Sequence, residues 1–131
     1  MATGDSPVGS LIVDAGELVS EAAEAVRARS DATAHAEIEA LRAAFTKRQS
    51  RTLNGCTLYT SVEPCVMCAY AIRLARIAVV VSGARTADSG SAISGFAVLT
   101  DPTLLPNHPP LAVVRDVLAA ECRAILEGSV R

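Results

Sequence analysis

His35-Ala36-Glu37 and Pro64-Cys65-Val66-Met67-Cys68 bring an imidazole, two thiols and a carboxylate into two short segments of a 131-residue chain. One imidazole and two thiolates supply three zinc ligands and leave a fourth position open for water, whereas a structural zinc is closed by four protein ligands. A carboxylate beside that water can take its proton and pass it on. These residue types therefore point to hydrolytic removal of an exocyclic amine from an amidine-like ring. Glu37 stands two residues from His35, and residues two apart do not share a helix stripe, so it reads as the proton carrier and not as another ligand.

Cys56, Cys122 and His108 are the other donors that could close the site. If residues 57–61 are extended, Cys56 lies about 15 Å from Cys65 at roughly 3.3 Å per residue, too far to share an ion. Cys56 and Cys122 read as small buried hydrophobes and His108, among prolines, as a loop residue.

The elements that must position these groups follow from pattern. Val8 to Asp14 reads as a buried strand, Ala15-Gly16 as a tight turn, and the next stretch as the return strand of a hairpin ending near Ala23. Asp31 or Thr33 can cap a helix from about Ala34 to Lys47, with Ile38, Leu41 and Phe45 on one face and His35 in the first turn. Thr57 to Ser61 alternates like a strand, and Pro64 suits the first position of a helix through Leu74. Cys65 and Cys68 would then share a face at a helix N-terminus, where free N–H groups favour thiolates. Ile77 to Val81 suits a buried parallel strand, residues 83–95 a loop or short helix, Leu111 to Val114 a last strand, and Val117 to Glu127 a last helix. Strands alternating with helices imply an α/β layered domain spanning residues 1–131.

Composition bounds the partners. A formal charge of -2 and four aromatic residues (Phe45, Tyr59, Tyr70, Phe96) offer neither a basic footprint nor a stacking platform, which disfavours nucleic acid. No apolar run is long enough to span a bilayer, and the first residues lack a secretory pattern, so a cytoplasmic location is expected with the cysteines as thiols or ligands.

The chain resembles the zinc-dependent cytidine-deaminase-like superfamily, in its tRNA adenosine deaminase and guanine deaminase branch. The resemblance runs from about Pro7 through Leu126 and is densest in TAHAEI (33–38) and TLYTSVEPCVMCAYAIRLARIAVVVSGAR (57–85). It implies a three-layer α/β/α cytidine-deaminase-like fold with a five-stranded mixed sheet, zinc on His35, Cys65 and Cys68, Glu37 as proton shuttle, and the backbone around Ala36 and the Ser61 to Glu63 turn against the substrate ring.

Departures from the family bear on the substrate. Glu24 stands where the branch usually carries an Asn, and a carboxylate only accepts hydrogen bonds where an amide also donates. The C-terminal stretch AECRAILEGSVR lacks the basic helix of tRNA-acting members, and Gly95-Phe96 resembles the pair by which guanine deaminases close an aromatic over the ring. Members also begin with a helix that covers one sheet face, and here MATGDS precedes the first strand, so either a partner subunit covers that face or the chain start is incomplete; a homodimer, which the resemblance also implies, is the expectation. Together these predict a hydrolase of nucleobase metabolism that deaminates a free heterocycle such as guanine, isocytosine or an aminotriazine, with Glu24, Ala36 and Phe96 as substrate-binding residues; the alternative is conversion of adenosine to inosine in tRNA.

Overall fold

The computed structural model describes residues 4–89 and 93–128. Its strands are β1 (Gly9–Asp14), β2 (Glu17–Ala23), β3 (Thr57–Val62), β4 (Val79–Ala84) and β5 (Ala112–Val114). The helices are α1 (Ala36–Arg48), α2 (Val66–Leu74), α3 (Phe96–Thr100) and α4 (Ala119–Gly128), and a 3-10 turn spans Thr86–Ser89. The strands form one mixed sheet in the order β2-β1-β3-β4-β5, with β1 antiparallel to both neighbours and β3, β4 and β5 parallel. This is the five-stranded α/β architecture that the resemblance implies.

Ala15 and Gly16 both take positive φ (50° and 83°), which suits a two-residue hairpin turn and fixes β2 as the return strand. Ile12, Leu58 and Val80 point to one sheet face and bury against Ala40, Leu41 and Ala44 of α1 and Ala69 and Ile72 of α2. Their side chains alternate along the strands as one buried face demands. The small alanines of α1 let that helix lie close over β1 and β2.

The opposite face is covered in part by α4, which packs on β4 where Gly83 leaves room: a Cβ there would lie 2.3 Å from the Cys122 Sγ. Beside α4, a hollow of about 560 Å³ lined by Leu11, Tyr59, Val81, Val117 and Leu118 remains. It is the face for which the sequence predicts a covering partner. No helix among the described residues is long and apolar enough to cross a membrane.

Several boundaries differ from the sequence expectation for physical reasons. His35 and Cys65 are the N-cap residues of α1 and α2, in extended conformation, and not first-turn residues. Asp31 does not cap α1; its carboxylate accepts the Thr33 amide and hydroxyl in a turn one step earlier. β4 begins two residues late because Arg76, at φ 63°, turns the chain after α2 before the strand can pair. The α3 helix was not foreseen.

Arg73 was not foreseen as a buried residue either. Its guanidinium is fully buried and donates to the carbonyls of Val98 (2.9 Å), Asp101 and His108 (2.6 Å), tying α2 to the loop that leads into β5. A charge this deep is tolerated only because several backbone oxygens meet it.

Candidate active site

The loop before α1 is fixed from outside. Asp5, itself buried, accepts the amides of Arg27 and Ala28 (2.6 and 3.1 Å), and Thr33 closes onto Asp31, so His35 is delivered at a defined point above β1. The N-terminus of α2 meets it there. His35 Nδ1 lies 3.7 Å from the Cys65 Sγ and 3.5 Å from the Cys68 Sγ, and the three ligand atoms lie within 4.8 Å of one another. Tetrahedral zinc with ordinary Zn–S and Zn–N lengths requires N···S separations of about 3.6 Å, so the donor set fits that ion.

The two thiols are not equivalent. In the metal-free chain Cys65 is pulled down to about 5, first by the hydrogen bond from the Cys68 thiol and then by helix-start amides and the charge of His35. Cys68, which donates that bond and is buried, is pushed strongly up. Zinc therefore meets one thiolate already formed and displaces a proton from the second.

Glu37 is 5% exposed and sits over the same cavity. Burial raises its carboxyl from the ordinary 4.5 to about 7, opposed by its own backbone amide and reinforced by the nearby charges of Cys65 and Glu24. A carboxyl poised near neutrality both takes and returns a proton readily. The shift also has a stability cost of known sign. Between its unfolded and folded values the folded metal-free chain binds more protons than the unfolded one, so stability is lost as pH rises from about 4.5 through 7. Metal-free Glu37→Gln is therefore expected to gain stability relative to the metal-free parent between pH 5 and 8, by about 3 kcal/mol at roughly 1.4 per pKa unit. Urea titrations of the two chains would check this, and parallel pH profiles would contradict it.

The cavity that contains these groups measures about 210 Å³ and is lined by Val8, Glu24, His35, Glu37, Glu63 and Thr86, among others. This is smaller than the roughly 300–1,000 Å³ usual for drug-sized ligands, which suits a single ring system. Of the substrate residues predicted from sequence, Glu24 lines this cavity. Ala36 is fully buried between His35 and Glu37. Phe96 is placed elsewhere: its ring packs on the core with the Arg115 guanidinium 4.2 Å above it, and it does not line the cavity. Gly95 explains that placement, because its Cα approaches the Cys65 and Pro64 carbonyls so closely that a Cβ would lie 2.5 and 2.7 Å from them.

Glu63 belongs to the Ser61 to Glu63 turn that the resemblance sets against the ring, but sequence reasoning left its side chain without a role. It is buried, with one carboxylate oxygen accepting the Thr86 amide (2.9 Å) and hydroxyl (2.8 Å) and the other facing Arg115 at 3.3 Å. Its position directly before Pro64-Cys65 is the signal that was available.

Residues 2–84 match the family described as the cytidine and deoxycytidylate deaminase zinc-binding region. A tRNA-specific adenosine deaminase from Aquifex aeolicus is 43% identical over 105 residues, covering 80% of this chain and 68% of that protein. Among solved structures, a tRNA:A34 deaminase that carries out A-to-I editing at the wobble position of transfer RNA superposes with a TM-score of 0.77 at 30% identity, covering 91% of this chain and 84% of that one. A guanine deaminase from Nitrosomonas europaea superposes with a TM-score of 0.76 at 26% identity, covering 93% and 71%.

These likenesses correct two expectations from the sequence: a free heterocycle as the substrate, and nucleic acid as a disfavoured partner. The tRNA-specific adenosine deaminase shares 43% identity across 80% of this chain, whereas a guanine deaminase from Bacillus subtilis reaches 40% across only 63% of it and the Nitrosomonas europaea one 26% across 93%. The hydrogen-bond reasoning failed because an acceptor at Glu24 does not select against adenine, whose exocyclic amine is itself a donor. The charge reasoning failed because a sum over the chain hides placement. Arg115, its side chain 45% exposed, reaches Glu63 at the cavity wall, and Arg85, 55% exposed, pairs with Asp116, the residue next to Arg115.

Proposed function

Because the chain belongs to the cytidine and deoxycytidylate deaminase zinc-binding family, we propose that it is the zinc hydrolase that converts adenosine to inosine in tRNA. The observation that carries the substrate is the 43% identity to a tRNA-specific adenosine deaminase across 80% of the chain. The activity of the structural neighbour at 30% identity, A-to-I editing at the wobble position, supports that position as the target.

His35, Cys65 and Cys68 would hold the zinc, which when bound would act as a Lewis acid and make a water nucleophilic at neutral pH. The chain's own residues do the rest. The buried Glu37 carboxyl takes a proton from the attacking water, delivers it to the ring nitrogen next to the reacting carbon, and then carries a second proton to the amine as the carbon–nitrogen bond breaks. The adenosine must leave the base stack to enter a cavity of about 210 Å³, which is less costly in a single-stranded loop. The Glu63 carboxylate keeps Thr86 and the start of the 3-10 turn against the cavity wall. Four free cysteines support a reducing, cytoplasmic setting for this work.

The reading is tested by incubating the zinc-loaded chain with a tRNA transcript carrying adenosine at the wobble position and, separately, with free adenine, guanine and cytosine. Inosine in the transcript without ammonia from the bases is expected; ammonia from a free base with the transcript unchanged would overturn it.

A further inference from the structure

We infer that Glu24 is a second catalytic carboxylate, which accepts a hydrogen bond from the substrate's exocyclic amine and holds it as it departs. The assignment rests on the adenosine reading above and deepens it. Glu24 follows β2, where its amide donates to the Val8 carbonyl at 3.0 Å, and it lines the same cavity as His35, Glu37 and Cys65. It is only partly buried, and among the described residues no hydrogen bond or ion pair joins its carboxylate to another side chain. The cavity's other carboxylates are committed: Glu37 to proton transfer from its place beside the ligands, and Glu63 to Thr86 and Arg115. Its reach is also evident electrostatically, since the charge of Glu24 acts on both Glu37 and Cys68.

The chemistry calls for an acceptor there. On the reacting face of adenine the ring nitrogens only accept, and the amine alone donates N–H bonds. As the water oxygen adds to the carbon, the amine takes the second water proton through Glu37 and carries positive charge until the carbon–nitrogen bond breaks and neutral ammonia leaves. A carboxylate facing that nitrogen binds the departing group more strongly than it binds the neutral amine, which is the differential that lowers a barrier. An amide at the same place offers no charge and a weaker bond.

A substrate with a leaving group that has no N–H separates this role from a structural one. With wobble-position RNA carrying adenosine, zinc-loaded Glu24→Gln is expected to lose at least about tenfold in kcat, the loss of one charge-assisted hydrogen bond. With the same RNA carrying 6-methoxypurine riboside the variant and the parent are expected to match. Equal losses on both RNAs, or no loss on either, would overturn the inference. Independently of any variant, ammonium chloride is expected to inhibit the parent more than sodium chloride at equal ionic strength; equal inhibition would also overturn it. A parent chain inert on both RNAs would instead remove the tRNA reading, and this inference with it.

Discussion

Glu37→Gln is expected to lower turnover by about 10²–10⁴-fold while zinc remains at one equivalent per chain, the range that general acid–base catalysis contributes. The carboxyl is 5% exposed, lies two residues from the ligand His35, and titrates near 7 in the metal-free chain, so it is suited to move protons in both directions at neutral pH. Glutamine has the same length and occupies the same volume, but it cannot accept the proton of the attacking water or return it to the ring. The ligand atoms belong to other side chains, so metal content should not follow activity down. Zinc analysis beside a single-turnover assay checks the point; a variant that retains more than a tenth of the parent rate would remove Glu37 from the proton path.

Cys68→Ser is expected to lose both zinc and turnover, with zinc falling from one equivalent to near none. Cys68 is fully buried and its Sγ stands 3.5 Å from His35 Nδ1, so its removal leaves one imidazole and one thiolate for an ion that needs at least three protein ligands in a catalytic site. Serine fills the space but is a poor anion at neutral pH. Because metal binding is coupled to folding, the thermal midpoint of the purified variant should fall toward that of chelator-treated parent. Cys122→Ala, which alters a thiol packed over Gly83 on the opposite sheet face, should keep its zinc and provides the control. Full metal content in Cys68→Ser would mean that the ion is held elsewhere.

Much of the site was legible because its requirements are local. A zinc held by one imidazole and two thiolates needs those residue types near two helix starts, and the spacing of His35, Glu37, Cys65 and Cys68 records it directly. The one- and two-residue errors at α1 and α2 arise because the ligands themselves serve as N-caps, in extended conformation, so Pro64 precedes the helix it was expected to begin. The unforeseen features depend on distant chain. The five-residue α3 exists because Gly95 seats against the Pro64 and Cys65 carbonyls, and Arg73 can be buried because three carbonyls, one from α3 and two from the chain after it, 25 to 35 residues away, converge on it.

Substrate choice was misjudged for the same reason. Net charge and the lack of a basic C-terminal helix are properties of the sequence as a sum, whereas Arg115, just after β5, reaches Glu63 of the cavity wall only once the sheet has formed. Glu24 lines the cavity, but an acceptor there does not choose between rings, since the exocyclic amine of adenosine is as good a donor as any on guanine.

The most direct measurement is inosine formation at the wobble position of a tRNA transcript, followed by sequencing, with zinc-loaded parent chain and Glu37→Gln in parallel. Near-stoichiometric inosine with the parent and none above background with the variant is the expected result. A transcript left unchanged by a fully zinc-loaded parent that releases ammonia from free guanine would contradict the central claim.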